Sequence, residues 1–324
     1  MAFPGKGQGM TGGKAKGCWK GPACLWLAAF IWGSAFVAQR SAMGEGGTGP
    51  LTFNGLRWFP GVAVLVPAIA WRSRRKAGLD GGKRDWRALA AGGVLCGAVL
   101  FLASSLQQMG LETTEAGKAG FITALYLLLV PVFGLALGKK AGWRIWAAVA
   151  AGLAGLWLLC TKGGLDGWRA VGRGDWLLLG CAAAFAGHIL LVDRFVGKTD
   201  PLELSALQFA VCGCLSLPFL LALEHPTWAE VWAVRGELAY AGFLSSGVAY
   251  TLQTAGQRET APAVASLIMC MESVFAVLTG WLVLGETATG REWAGCALML
   301  GAILVCQVGG GREGGRRNGR TQNP

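Results

Sequence analysis

Ten stretches of this chain run almost without charge, each close to the ~20 residues a helix needs to cross ~30 Å of hydrocarbon. They are Gly21–Gln39, Leu51–Trp71, Ala88–Leu111, Ala119–Gly138, Ile145–Thr161, Trp176–Val192, Leu204–Leu223, Leu238–Gln257, Thr260–Gly285 and Trp293–Gly311. Only the second and ninth carry a charge inside, Arg57 and Glu272. A soluble domain has about 25% charged residues; this chain of 324 residues has 15%, with 53% hydrophobic. A transmembrane barrel would alternate polar and apolar residues, and segments such as Leu125–Pro131 (LYLLLVP) do not. The expected fold is an all-α integral membrane protein with ten transmembrane helices.

Charge sets the expected orientation. The Lys and Arg residues concentrate on alternate loops: Lys6, Lys14, Lys16 and Lys20 before the first run, Arg72 to Arg87 after the second, and Lys139, Lys140 and Arg144 after the fourth. Arg194 and Lys198 follow the sixth run, Arg258 the eighth, and Arg312, Arg316, Arg317 and Arg320 the tenth. Basic loops stay in the cytoplasm, so both termini are expected there, in a multi-pass protein of the plasma (inner) membrane. The net charge of +11 is thereby a topology signal and not a nucleic-acid surface. The basic leader before an apolar run reads as an uncleaved signal anchor. Trp19, Trp71, Trp86, Trp143, Trp146, Trp168, Trp176, Trp228, Trp232 and Trp293 fall near run ends, as an interfacial belt does.

Several chemistries are excluded. Ten Cys show no zinc spacing and there are two His, so no metal or cofactor is expected. No G-x-x-x-x-G-K-[ST] occurs, which removes ATP-driven transport by this chain alone. The three G-x-G-x-x-G strings, Gly7–Gly12, Gly44–Gly49 and Gly309–Gly314, open no strand–helix unit and are read as tail and loop.

The halves are related. Pro50-Leu51, Leu56 and Pro67 align with Pro201-Leu202, Leu207 and Pro218; Gly97 with Gly247; Gly110 and Thr114 with Gly256 and Thr260; Leu137-Gly138 and Trp146 with Leu284-Gly285 and Trp293. Five spans per half would insert the second half upside down, an inverted repeat of the kind found in secondary transporters. The expected organisation is a basic Gly-rich cytoplasmic tail (1–20), a first five-helix repeat (21–161), a second (162–309) and a basic tail (310–324), with disorder before about Gly17 and after about Gly309.

Four passages carry a resemblance: Ile31-Trp32-Gly33-Ser34-Ala35-Phe36, Pro50-Leu51-Thr52-Phe53-Asn54-Gly55-Leu56-Arg57, Thr113 to Phe121 through Pro131, and Glu272-Ser273-Val274-Phe275 through Leu284-Gly285-Glu286. In this order the chain resembles the drug/metabolite transporter superfamily, in particular its EamA-type members, over roughly residues 20–308. It departs from the family pattern at Ser273, where Pro is usual, and at Lys139, where the first half ends Leu-Gly-Lys instead of Leu-Gly-Glu. The resemblance implies a secondary transporter of a small metabolite, such as an amino acid or related compound, with export favoured over uptake.

An ionisable group within a span marks a functional site by default. Glu272 lies about 15 Å into its span at 1.5 Å per residue; it suits binding and release of a proton or a cationic substrate group, or serves as a structural carboxyl. His188 is read as a proton relay or a satisfied core group. Arg57 holds an anion, pairs with Glu272, or snorkels outward. Tyr250, Gln253, Thr254 and Gln257 share one helical face, as do Ser104, Gln107 and Gln108. With Gln208, Tyr126 and Trp32 they are expected to wall a cavity or glue helices. Ala151-xxx-Gly155 and Ala297-xxx-Gly301 are read as packing faces. The expected function is alternating access around a midplane site, with a small-molecule substrate, the bilayer as partner and proton coupling through Glu272. A channel, a membrane scaffold, and an integral membrane enzyme acting on lipid-linked substrates are the alternatives; the absence of a carboxylate or His cluster at a loop face disfavours the enzyme.

Overall fold

The computed structural model describes residues 20–43, 47–76, 85–114, 116–139, 141–160, 172–284 and 289–317. Among them all regular structure is helical: α1 (Lys20–Ala42), α2 (Pro50–Leu56), α3 (Trp58–Lys76), α4 (Trp86–Leu111), α5 (Ala116–Ala124), α6 (Tyr126–Ala136), α7 (Trp143–Cys160), α8 (Arg173–Val196), α9 (Pro201–Leu223), α10 (Trp228–Ala233), α11 (Arg235–Ala239), a π-helical segment (Tyr240–Ala249), α12 (Tyr250–Gln257), α13 (Pro262–Met269), α14 (Glu272–Leu284) and α15 (Gly290–Arg317). Seven stretches are long and apolar enough to cross a membrane: Pro50–Arg74, Trp86–Leu111, Ala119–Ala136, Trp143–Cys160, Arg173–Val196, Pro201–Leu223 and Pro262–Thr279. The leader 1–19, residues 161–171 and 318–324, and with them Trp19 and Trp168, lie outside the described residues.

Helix starts follow local chemistry. Asp85 accepts from Ala88 N–H at 2.9 Å and Asp200 from Leu202 N–H at 3.0 Å. Pro50, Pro201 and Pro262 open their helices, where a missing N–H costs nothing. Thr289 and Glu292 form a reciprocal capping box before α15. Pro67, Pro131 and Pro218 lie inside α3, α6 and α9 without ending them; in a membrane bundle neighbouring helices re-satisfy the freed carbonyls.

The distribution of polarity is that of a membrane protein. Leu27, Val66, Leu95, Leu102, Leu135, Leu221 and Leu304 face outward, whereas Thr52, Asn54, Arg57, Ser104, Gln108, His188 and Gln208 are buried. Trp71, Trp86, Trp143, Trp176, Trp228, Trp232 and Trp293 are exposed near helix ends, as bilayer interfaces favour. Two end faces can be distinguished. At one, Arg72 pairs with Asp200 at 3.4 Å and Lys139 with Asp193; Lys198 and Arg258 lie there too, and this is the basic face. At the other, Ser41 donates to Glu237 at 3.2 Å and Thr114 to Asp175 at 3.3 Å.

One expectation is corrected. Gly155 does sit at a close crossing, but its partners are Gly295 and Met299: a Cβ on Gly155 would lie 2.9 Å from the Gly295 carbonyl oxygen. A Cβ on Gly301 would meet nothing within 4 Å, and Ala297 is exposed. The packing face of α15 is offset from the Ala297–Gly301 pair.

Candidate functional site

Three breaks in the helices build the site. The first separates α2 from α3 at Arg57. The others fall at Leu125, between α5 and α6, and at Cys270-Met271, between α13 and α14. Leu125 and Cys270 adopt nearly the same backbone angles, −59°, −13° and −60°, −13°. Each break is spanned by tight three-residue hydrogen bonds, Leu128 N–H to Leu125 O and Ser273 N–H to Cys270 O. The two meet: Cys270 Sγ contacts the Ala124 carbonyl at 3.8 Å, between residues 146 apart in sequence. No proline causes either break. Both lie where the two helices touch.

Next to the breaks lies a small cavity of about 50 Å3, lined by Trp32, Gln39, Arg57, Gln107, Thr123, Tyr126, Phe185, Ile189, Ser245, Tyr250, Gln253, Met269 and Glu272. Glu272 is the first residue of α14, and Arg57 is the C-cap of α2. A carboxylate at a helix N-terminus and a guanidinium at a helix C-terminus are both favoured by the peptide dipoles. Neither group makes a hydrogen bond or ion pair with the described residues. Arg57 is 2% exposed, with its guanidinium 4.8 Å from the centre of the Trp58 ring. The dipoles and the aromatic face thus support the charges without using up their hydrogen-bonding valence.

The walls explain the first sequence passage. Trp32 Nε1–H donates to the Ser245 carbonyl at 3.2 Å and its ring packs edge-on to Tyr250 at 4.7 Å. Gly33 lets α1 touch α14: a Cβ there would fall 2.6 Å from the Glu272 carbonyl oxygen. Ser34 Oγ and the Tyr240 hydroxyl are 2.6 Å apart. The π-helical turn presses on α3, with a Cβ on Gly242 falling 2.7 Å from Pro60. In the second passage, Asn54 Nδ2 donates to Ser104 and Ser105 at 3.1 and 3.3 Å.

The EamA-like transporter family matches residues 19–161 and 172–306 of the sequence. The chain belongs to this family. Among EamA relatives, an uncharacterized transporter of Archaeoglobus fulgidus is 29% identical over 287 residues, covering 88% of this chain and 84% of the relative. The uncharacterized transporter YwfM of Bacillus subtilis is 27% identical, covering 86% and 90%. The uncharacterized inner membrane transporter YicL of Salmonella typhimurium is 23% identical, covering 89% and 95%. A protein of known crystal structure shares the fold with a TM-score of 0.73 at 19% identity, over 89% of this chain and 96% of that one. The protein is therefore an EamA membrane protein whose relatives are named transporters.

Of the site residues expected for this EamA chain, Trp32, Arg57, Tyr126, Tyr250, Gln253 and Glu272 meet in the cavity. His188, Gln208 and Gln108 do not line it. His188 Nε2 and Gln208 Oε1 bond each other at 2.9 Å behind the wall, and Gln108 Nε2 reaches Met43 Sδ at 3.4 Å. Gln107 takes the place expected of Gln108, because consecutive helical residues point about 100° apart. Gln39, Thr123 and Ser245 are lining residues that the sequence reading missed; Thr123 precedes the α5–α6 break, a feature with no sequence mark.

Proposed function

We propose that this chain is a secondary transporter that carries a small zwitterionic metabolite by alternating access. The observation that carries this reading is the cavity with one unpaired carboxylate and one unpaired guanidinium. A substrate with an ammonium and a carboxylate satisfies both at once, and Trp32, Tyr126, Phe185 and Tyr250 supply faces for its apolar part. A buried charge without a partner is costly. When the substrate leaves, Glu272 keeps a compensating proton, and proton exchange against the ammonium couples the two fluxes.

We further propose ten spans: the seven apolar stretches with α1, the α11–α12 rod and α15. The two five-helix halves are inverted relative to each other. The matched breaks at Leu125 and Cys270, in contact at the bundle centre, support this, as does the family's match to two segments of similar length. The basic face is assigned to the cytoplasm of a plasma membrane, with both termini on it.

The test is counterflow in proteoliposomes. Labelled amino acids should exchange saturably, and matched amines or carboxylates carrying one charge should compete poorly. Arg57→Gln and Glu272→Gln should each reduce exchange at least tenfold. Flux that never saturates would point to a channel, and no flux of any zwitterion would overturn the substrate class.

A further inference from the structure

Beside the cavity, toward the basic face, lies a second polar feature. There α8, α9 and α12 are joined pairwise through polar contacts. His188 of α8 meets Gln208 of α9 at 2.9 Å. Ser205 of α9 donates to Thr254 of α12 at 3.1 Å. Gln257 of α12 donates through Nε2 to the Ile189 carbonyl of α8 at 3.1 Å. His188, Gln208, Ser205, Thr254 and Gln257 are all at most 2% exposed.

Hydrogen-bonding capacity is left over on these residues and on their neighbours along α12. His188 Nδ1, Gln208 Nε2, Gln253 Oε1, Gln257 Oε1 and Thr260 Oγ1 have no partner among the described residues. Gln253 lines the cavity. Gln257 follows one turn later on the same helical face, about 6 Å along the axis. Thr260 sits in the turn before α13, beside Arg258 at the basic face. Left bare, each such group carries a desolvation penalty; ordered waters with two to four polar partners remove it. No charged side chain is among these groups, so they offer no coordination for a metal or organic ion.

We infer that this seam is a water-threaded proton path joining the basic face to the cavity, with Gln257 at its throat and the His188–Gln208 pair along its side. Since Gln208 Oε1 can only accept, His188 Nε2 carries the hydrogen and Nδ1 offers a lone pair to the seam. Each hop makes one O–H or N–H bond and breaks another, so nothing but a proton moves. The titratable groups facing it are Tyr250, whose ring centre is 6.4 Å from that of His188, and, next to Thr260 in the chain, Arg258 and Glu259. The proton's use at Glu272 rests on the transporter reading above; the path itself does not.

Two measurements test it. In radiolytic hydroxyl footprinting of the purified protein, His188 should be modified at least fivefold more than Leu156, which is equally buried in the apolar α7–α15 pair, and Gln257→Leu should abolish the difference. In liposomes with an internal pH dye and an imposed potassium diffusion potential, Gln257→Leu should cut protein-dependent proton entry at least fivefold. Thr260→Val should cut it too, and a folded elution profile should be retained. A His188 as dry as Leu156, or proton entry unaltered in both variants, overturns the path. Amino-acid counterflow is scored separately: its absence in the wild type defeats the substrate reading while the footprint still judges the seam.

Discussion

Glu224 holds the non-basic face closed, and removing it gives a calculable loss. Its carboxylate, at the end of α9, accepts from Leu51 N–H at 2.8 Å and Thr52 N–H at 2.7 Å, in the first turn of α2. The cap position of α2 is Gly49, which has no side chain to do this. A Cβ on Gly49 would fall 2.4 Å from the Glu224 carboxyl carbon, so the distant carboxylate occupies the space of a local cap. A bond to a charged acceptor contributes about 1.5–3 kcal/mol, but Glu224 is half-buried and solvent screens part of this. Losing a helix cap costs about 1 kcal/mol. Glu224→Ala should therefore cost about 1–2 kcal/mol, a fall in Tm of roughly 2–8 °C at 2–4 °C per kcal/mol. The sharper readout is amide hydrogen exchange: protection of the Leu51 and Thr52 N–H groups should drop about 5–30-fold, the factor for 1–2 kcal/mol. Glu224→Asp, one methylene short, should lose most of the same protection. Unchanged exchange at both amides in Glu224→Ala would refute the latch, whatever happened to Tm.

Further outcomes follow from other contacts. At the α7–α15 crossing, a Cβ on Gly295 would meet the Gly155 carbonyl oxygen at 2.7 Å; Gly295→Ala should destabilise by about 1–3 kcal/mol, and Gly301→Ala should leave the thermal melt unchanged. Gly33→Ala should reduce counterflow more than it reduces stability, because its clash falls on the backbone of Glu272. Burial, then the like charge of Glu224, raise the Glu112 carboxyl above the ordinary range, with Arg173 opposing. An acid raised on folding loses stability as pH climbs from the ordinary value of about 4.3 through the raised one; Glu112→Gln should therefore melt higher than wild type at pH 7–8, with the gap closing near pH 4. Glu272→Gln should remove the pH dependence of counterflow, which is measurable by exchange at a series of symmetrical pH values.

The apolar stretches and the two intramembrane charges were legible because hydrocarbon imposes a length and forbids charge. What was not legible came from contacts between distant segments. The breaks at Leu125 and Cys270 have no proline or glycine to mark them, and the prolines that are present, Pro67, Pro131 and Pro218, sit in continuous helix. The π-helical turn at Tyr240–Ala249 is seated tightly on Pro60 and Gly61, a contact that no local pattern announces. Polar stripes gave a correct face without saying which neighbour it meets: on α12, Gln253 opens on the cavity and Thr254 bonds Ser205. On α4 the stripe included both Gln107 and Gln108 without saying that Gln107 lines the cavity while Gln108 reaches Met43.

A binding site and structural glue would arrange Arg57 and Glu272 differently. Two opposite charges kept only to hold helices together would form an ion pair, because breaking a buried pair costs about 3–5 kcal/mol. Here they line one cavity and stay unpaired. Each is held at a helix end of matching polarity, created by a break in the middle of an apolar run. Backbone bonding continues through these breaks, as in Arg57 N–H to the Phe53 carbonyl and Phe275 N–H to the Met271 carbonyl, while the charged oxygens and nitrogens stay free. On the transporter reading proposed above, a ligand completes the electrostatics. A ligand that spans both charges also ties α2 to α14, so binding and release act on the broken helices that would move. Replacing Glu272 and Arg57 together by Gln and Leu should then raise thermal stability, by removing two uncompensated charges, while abolishing counterflow. A double variant less stable than either single one would show that the charges serve the fold.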